Sequence, residues 1–265
     1  KAALWELLSV SSPSLNLYVT LCAACPYLVE ILTSHPGMID ELMDSLVRDT
    51  LPTLANLESE LGVVASGAED IDPILHSFKN AQHLRVGVRD ILGKDDIQAT
   101  HRALANVAEV CVRRIAIFEY DKLAKKFGTP TIGPIDAGTE DDETNAWLRE
   151  REGQPCEPII LALGKVGGRE PNYHSDLDLV FLYEAEGQTT ATSRSTEITT
   201  NGHFFSELGQ RIIRAAGRLG PDGRLFEIDM RLRPTGKSGA LTVPLQAFRR
   251  YFASGGGQLW ERQAL

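Results

Sequence analysis

Asp176 and Asp178 stand one residue apart at the start of an apolar run that ends at Tyr183, a type and spacing suited to holding a divalent cation. The run 177–183 is wholly hydrophobic apart from Asp178 and reads as a buried strand. Side chains alternate faces along a strand, so the two carboxylates share a side with α-carbons about 7 Å apart. Like charges so placed repel, and burying both uncompensated costs several kcal/mol or forces one to take up a proton. A hard cation that bridges their oxygens, Mg²⁺ foremost, removes the conflict. The competing reading has Ser175 and Asp176 capping a turn and Asp178 on a solvated face.

Phosphate chemistry is suggested upstream, where the apolar residues Ile159, Ile160 and Leu161 run into Gly164, Lys165, Val166, Gly167 and Gly168. Without side chains, Gly167 and Gly168 let backbone N–H groups approach a phosphate, and Ser175 adds a hydroxyl to that set. Neither GxxxxGK[ST] nor GxGxxG is present, which disfavours a P-loop or a Rossmann dinucleotide site. A third carboxylate comes from 225–232. There Leu225, Glu227, Asp229, Arg231 and Arg233 alternate with Phe226, Ile228, Met230 and Leu232, as on a strand with one polar and one apolar face. Asp229 is the expected third ligand and Glu227 the reserve, since parity does not separate them. Arg231 and Arg233 suit bidentate contacts to phosphate oxygens, and Lys237 in the following glycine turn adds a point charge. Mutual pairing of these charges along an exposed strand is the alternative.

The elements that must carry these residues are helices first and a mixed sheet second, an α+β arrangement. Leu104, Ala108, Cys111, Ile115 and Phe118 share a face of a long helix predicted over 97–127, ended by Gly128 and Pro130. Earlier helices are predicted at 4–8, 15–33, 38–47 and 71–91, with His35-Pro36-Gly37 as a break. Arg85 and Arg89, four apart, read as a solvated helix face. Residues 1–127 are therefore expected to form a helical subdomain, 128–157 an acidic and partly mobile linker, and 158–265 the catalytic domain. Within the last, strands at 159–163, 177–183 and 225–232 and a helix over 202–220, capped by Thr200 or Asn201, flank a Ser/Thr-rich loop at 184–200 too polar to pack. The chain ends inside WERQAL, and we expect it to be an excised piece of a longer protein, truncated at its C-terminus.

A formal charge of −9 over 265 residues argues against a nucleic-acid surface, which needs a basic stripe. No stretch has the roughly 18 uninterrupted apolar residues of a membrane span, and the first residues lack the cationic segment, apolar run and small-residue cleavage site of a secretory leader. Cys22 and Cys25 form a CxxC in an apolar helical pattern with no second pair, so buried reduced thiols are expected.

The strings LGKVGGRE, NYHSDLDLVFLYE, FEIDMRLRPTGKSGAL and WERQAL, with PYLVEILTSHPGMIDELM upstream, resemble the glutamine synthetase adenylyltransferase family over most of the chain. That resemblance implies a nucleotidyltransferase fold like that of DNA polymerase β, whose GG, Asp-x-Asp and later carboxylate match Gly167, Gly168, Asp176, Asp178 and Asp229. It implies ATP as substrate, two Mg²⁺ ions, glutamine synthetase as partner with PII signalling protein as a further one, and a cytoplasmic setting. Family enzymes have two homologous halves that add AMP to, and remove it from, a tyrosine of glutamine synthetase. YHSDLDLVFLY and HPGMIDELM resemble the adding half. Pro171 departs from the family's usual Leu. A uridylyltransferase of the same superfamily, the AMP-removing half and a non-catalytic binding module are the rival readings.

Overall fold

The computed structural model describes residues 6, 8, 9, 11–39, 42, 43, 50–135, 143–191, 197–220, 223–234, 236–255 and 257. It has two compact units, one of Lys1–Cys111 with Arg169–His174, the other of Val112–Gly168 with Ser175–Leu265. Helices with small sheets make the class α+β, as the sequence implies. No helix among the described residues is long and apolar enough to cross a membrane. The predicted helix at 4–8, most of that at 38–47, the TEDD stretch at 139–142 and the final WERQAL lie wholly or largely outside the described residues.

The first unit is helical. Its α1 (Ser12–Ala24) starts at Ser11, whose hydroxyl accepts the Ser14 N–H, and α2 (Pro26–Ser34) follows after one residue. The spacing predicts one helix over 15–33; Pro26 divides it. A residue before proline is pushed out of the helical region, and Cys25 is extended at φ −151° and ψ 96°. Cys22 is exposed and Cys25 half-buried, against the expected burial, because the covered stripe of α1 runs through Ser14, Leu17 and Leu21. All four cysteines are free thiols.

Next come α3 (Leu54–Val64), α4 (Asp72–Ile91) and α5 (Ile97–Phe127), the last spanning the unit boundary. The hydrophobic pattern does not predict α3, but Thr53 and Asn56 form a capping box at its start that marks it. Leu21, Leu28, Leu32, Leu84 and Val88 form the heart of the core between α1, α2 and α4. Arg89 is not solvated: it is 1% exposed, and its Nε and Nη2 donate to the Asp95 carboxylate at 2.6 and 2.9 Å. The segment Arg169–His174 belongs to this unit too. Tyr173 packs on Val86, Ala103 and Leu104, and Arg169 pairs with Glu109 at 2.7 Å and donates to Asn106 at 3.0 Å.

In the second unit the segment 128–157 is more structured than a linker. It holds β1 (Thr129–Pro130), α6 (Glu143–Glu150) and a half-buried Arg151 ion-paired with Glu184. The polar stretch after Tyr183 packs as well: β4 (Thr189–Thr190) pairs antiparallel with β1, and Glu184, Ala185 and Thr189 are buried. Backbone pairing and the ion pair with Arg151 supply the partners that composition does not reveal; residues 192–196 of that stretch are outside the described set.

The main sheet is built on β3 (Leu177–Tyr183). On one side β2 (Pro158–Ala162) runs antiparallel, with Ile160 opposite Phe181. Before β3 comes a single helical turn, α7 (Gly164–Gly167). The other side of β3 is shared by two parallel strands, β7 (Ile228–Asp229) beside its start and β8 (Thr242–Pro244) beside its end. Between β4 and β7 in sequence lie α8 (Asn201–Gly217), capped by Thr200, and a hairpin of β5 (Leu219–Gly220) and β6 (Gly223–Arg224); α9 (Leu245–Ala253) closes the order. Phe204, Phe205, Leu208 and Ile212 bury the apolar face of α8, and Phe205 stacks on Tyr183 at 5.1 Å. Leu219, inside the helix predicted over 202–220, is 75% exposed because the helix stops at Gly217 and the chain turns into the hairpin. Every residue of β3 except Asp178 is buried, so the strand offers the surface only a carboxylate.

Candidate active site

Asp178 is the second residue of β3, and Asp176 stands one residue before the strand. Across the parallel pair, Asp178 lies directly opposite Asp229. Burial first, then the charges of Asp176 and Asp229, push the Asp178 carboxyl above its ordinary range, while Arg231 and Lys165 draw it back. Three carboxylates therefore share one end of β3. Asp176, Asp229 and Glu227 line a cleft of about 480 Å³ together with Arg231 and Arg233.

The alternation over 225–232 predicts a full strand, but only Ile228 and Asp229 pair. The Arg231 N–H donates to Asp229 Oδ1 at 2.8 Å, and this bond from a side chain to the backbone two residues on replaces the next rung of the ladder. Residues 231–234 are a turn. Glu227 is 69% exposed and pairs with Arg224 at 2.5 Å, whereas Asp229 is 11% exposed beside Asp178. Arg231 also sends Nε to Asp229 Oδ2 at 2.6 Å, with Nη2 against the same oxygen. Arg233 braces the turn by donating to the carbonyls of Met230 at 2.7 Å and Gly239 at 3.5 Å. Ser175 is half-buried just before Asp176, and the Lys237 backbone sits in a short 3₁₀ turn, Gly236–Ser238. The Lys237 side chain is outside the described residues.

The glycine segment is not an open loop. Gly167 and Gly168 donate their N–H groups to the carbonyls of Leu163 and Gly164 at 3.0 and 2.9 Å, which makes them part of a helical turn. These are the amides expected to face a phosphate, and here they close the turn. A Cβ on Gly167 would lie 2.4 Å from the Ala162 carbonyl oxygen, so close packing against β2 requires glycine there. Gly164, absent from the predicted site, lies closer to the chemistry. Its φ is +53°, and a Cβ would stand 2.4 Å from Asp178 Oδ2. The sequence signal was a glycine at the end of a strand, but its contact with a carboxylate from the next strand exists only in three dimensions. Lys165, also outside the predicted set, is the other cation felt by Asp178.

Among the described residues no three His, Cys, Asp or Glu side chains converge closely enough to hold an ion as they stand. The carboxylate of Asp229 is turned to Arg231 instead.

The family model for glutamate-ammonia ligase adenylyltransferase matches residues 15–265. Curated proteins similar to the chain are named bifunctional glutamine synthetase adenylyltransferase/adenylyl-removing enzyme. That of Thioalkalivibrio sulfidiphilus is 36% identical over 266 residues, 97% of this chain and 26% of the relative. That of Pseudomonas aeruginosa is 33% identical over 273 residues, 100% of this chain and 26% of the relative. In Pasteurella multocida the identity is 32% over 265 residues, 98% of this chain and 25% of the relative. The chain thus spans about a quarter of the length of these relatives.

Proposed function

The chain belongs to the glutamate-ammonia ligase adenylyltransferase family, and from that premise we propose that it transfers AMP from ATP to a tyrosine of glutamine synthetase. The modification would regulate nitrogen assimilation in the cytoplasm, with PII signalling protein as a second partner. One observation carries the reading: Asp229 faces Asp178 across a parallel pair, and Asp176 is close enough to raise the Asp178 pKa.

In the transfer, the tyrosine oxygen attacks the α-phosphorus, the bond to the β-phosphate breaks, and pyrophosphate leaves as the hydroxyl proton is lost. Little covalent work falls to the protein, which must hold reactants in line and stabilise oxygen charge. Arg231 and Arg233 line the cleft with planar donor forks suited to phosphate, and Lys165, Lys237 and Ser175 extend that set. Gly168, exposed and without a side chain, leaves room for the triphosphate against the backbone, while Gly167 packs on the Ala162 carbonyl. The acidic set suits a hard cation, since its members are oxygen donors whose charges oppose one another at Asp178. Mg²⁺ held by Asp176, Asp178 and Asp229, with a second ion on the first two, would supply the charge that lowers the pKa of the tyrosine hydroxyl and offsets that of the phosphates. Asp229 rather than Glu227 serves as third ligand in this reading, because Asp229 lies directly opposite Asp178 while Glu227 is largely exposed.

A second reading is favoured by the relatives' names, which include adenylyl removal. The removing reaction uses phosphate as nucleophile and releases ADP. One trial separates the readings: ATP, Mg²⁺ and unmodified glutamine synthetase, followed by intact mass. We expect one AMP per modified tyrosine with release of pyrophosphate, and little ADP when modified enzyme is offered with phosphate. Phosphorolysis without addition assigns the chain to the removing half. Transfer from UTP to PII makes it a uridylyltransferase, and inactivity in all three trials favours a binding module.

Gly164→Ala gives a narrower prediction. The methyl would force Asp178 aside, and a displacement of about 1 Å at such a group can slow a reaction about a hundredfold. Its left-handed φ adds a stability cost of about 1–2 kcal/mol. Rate and melting temperature measured together check this; full activity in the variant removes Gly164 from the site.

A further inference from the structure

Arg231 engages both oxygens of the Asp229 carboxylate, its backbone N–H at Oδ1 and its guanidinium at Oδ2. The two halves of this contact differ in permanence. The backbone bond belongs to the turn that ends β7, while the Arg231 side chain is 68% exposed and free to swing away without opening the fold. Asp229 itself is 11% exposed and held in register opposite Asp178. We propose that Arg231 is an exchangeable counter-ion that holds Asp229 in place before the substrate arrives, then yields Oδ2 to the incoming divalent cation and turns its fork to the phosphates. This rests on the reading of Asp176, Asp178 and Asp229 as cation ligands. Oδ1 keeps its bond to the Arg231 N–H throughout, so the carboxylate changes partner without rotating. The Arg231 side of the pair is exposed, so water takes up its charge as it leaves, which keeps such an exchange inexpensive.

The proposal makes opposite predictions for two ligands of one site. Without its guanidinium, the protein should bind a bare divalent ion more tightly, since one competitor for Oδ2 is gone, and ATP more weakly, since a phosphate donor is gone. A residue that only supports the fold would weaken both or neither. The test is direct binding of Mn²⁺ to the nucleotide-free 265-residue chain, read by the magnetic resonance signal of the free ion, for the parent, Arg231→Gln, Arg231→Lys and Asp178→Asn. We expect Arg231→Gln to tighten Mn²⁺ binding about three- to five-fold, the range of a charge pair with one partner in solvent. Arg231→Lys, which keeps the charge and loses the fork, should tighten it by less, and both should weaken ATP binding measured separately. Mn²⁺ binding by Arg231→Gln no tighter than the parent's, with loss of the ion in Asp178→Asn, overturns the exchange and leaves the ligand assignment standing. Parent-like binding in Arg231→Lys attributes the effect to charge alone and also overturns it. Undiminished Mn²⁺ binding in Asp178→Asn removes the ligand assignment and the exchange together.

Discussion

Asp178→Asn is expected to slow AMP transfer at least about a hundredfold while leaving the fold intact. The asparagine keeps the size of the side chain and its place opposite Asp229 but presents one neutral oxygen where a cation needs a charged one. Asp176→Asn should act in the same direction. The stability effect runs the other way. Asp178 is a carboxylate whose pKa the fold raises, through burial and then through Asp176 and Asp229, so its charge opposes folding at neutral pH. Removing that charge should hold the melting temperature level or lift it in protein without metal. Initial rates by intact mass, paired with thermal melts, check both halves. Near-normal transfer in both variants would sink the assignment of these aspartates; lost activity with a collapsed melting temperature would mean that they support the fold instead.

Arg89→Met is expected to be the most damaging single change to the helical unit, costing about 3 kcal/mol. The guanidinium is buried at the last turn of α4, where a cation also complements the carbonyl end of the helix, and it donates twice to Asp95 just before α5 begins. Methionine fills a similar volume, but it leaves the 15%-exposed Asp95 carboxylate without this partner. For a chain of this size the loss corresponds to roughly 6–12 °C in melting temperature. A second substitution, Asp95→Leu, should recover part of the loss, because the penalty lies mainly in the stranded charge. An unchanged melt for Arg89→Met, or a double variant less stable than the single one, would contradict this account.

Arg89 also shows where sequence reading fails. Its spacing from Arg85 is that of any solvated helix face, and the partner that buries it lies in a loop whose return path periodicity does not encode. Arg231 is a similar case. Strict alternation over 225–232 describes a strand, yet the chain turns after Asp229 because a carboxylate captured a backbone N–H, a local competition that hydrophobic pattern does not register. The glycines misled in the opposite sense. A flexible phosphate loop and a closed helical turn have the same composition, and only the hydrogen bonds of Gly167 and Gly168 distinguish them.

What the sequence determined by itself rests on interactions between near neighbours or on long apolar periodicity. The helix Ile97–Phe127, the strand Leu177–Tyr183 with its carboxylate at Asp178, and the family, carried by contiguous strings of residues, are of that kind. What the tertiary structure decided are relations between residues distant in the chain: Asp229 opposite Asp178, Glu227 turned away to Arg224, the space that Gly164 leaves for a carboxylate, and the hold of Arg231 on Asp229. Strand parity is blind to register. Two carboxylates of equal parity, Glu227 and Asp229, become different only when β7 is laid beside β3 and one of them faces an aspartate.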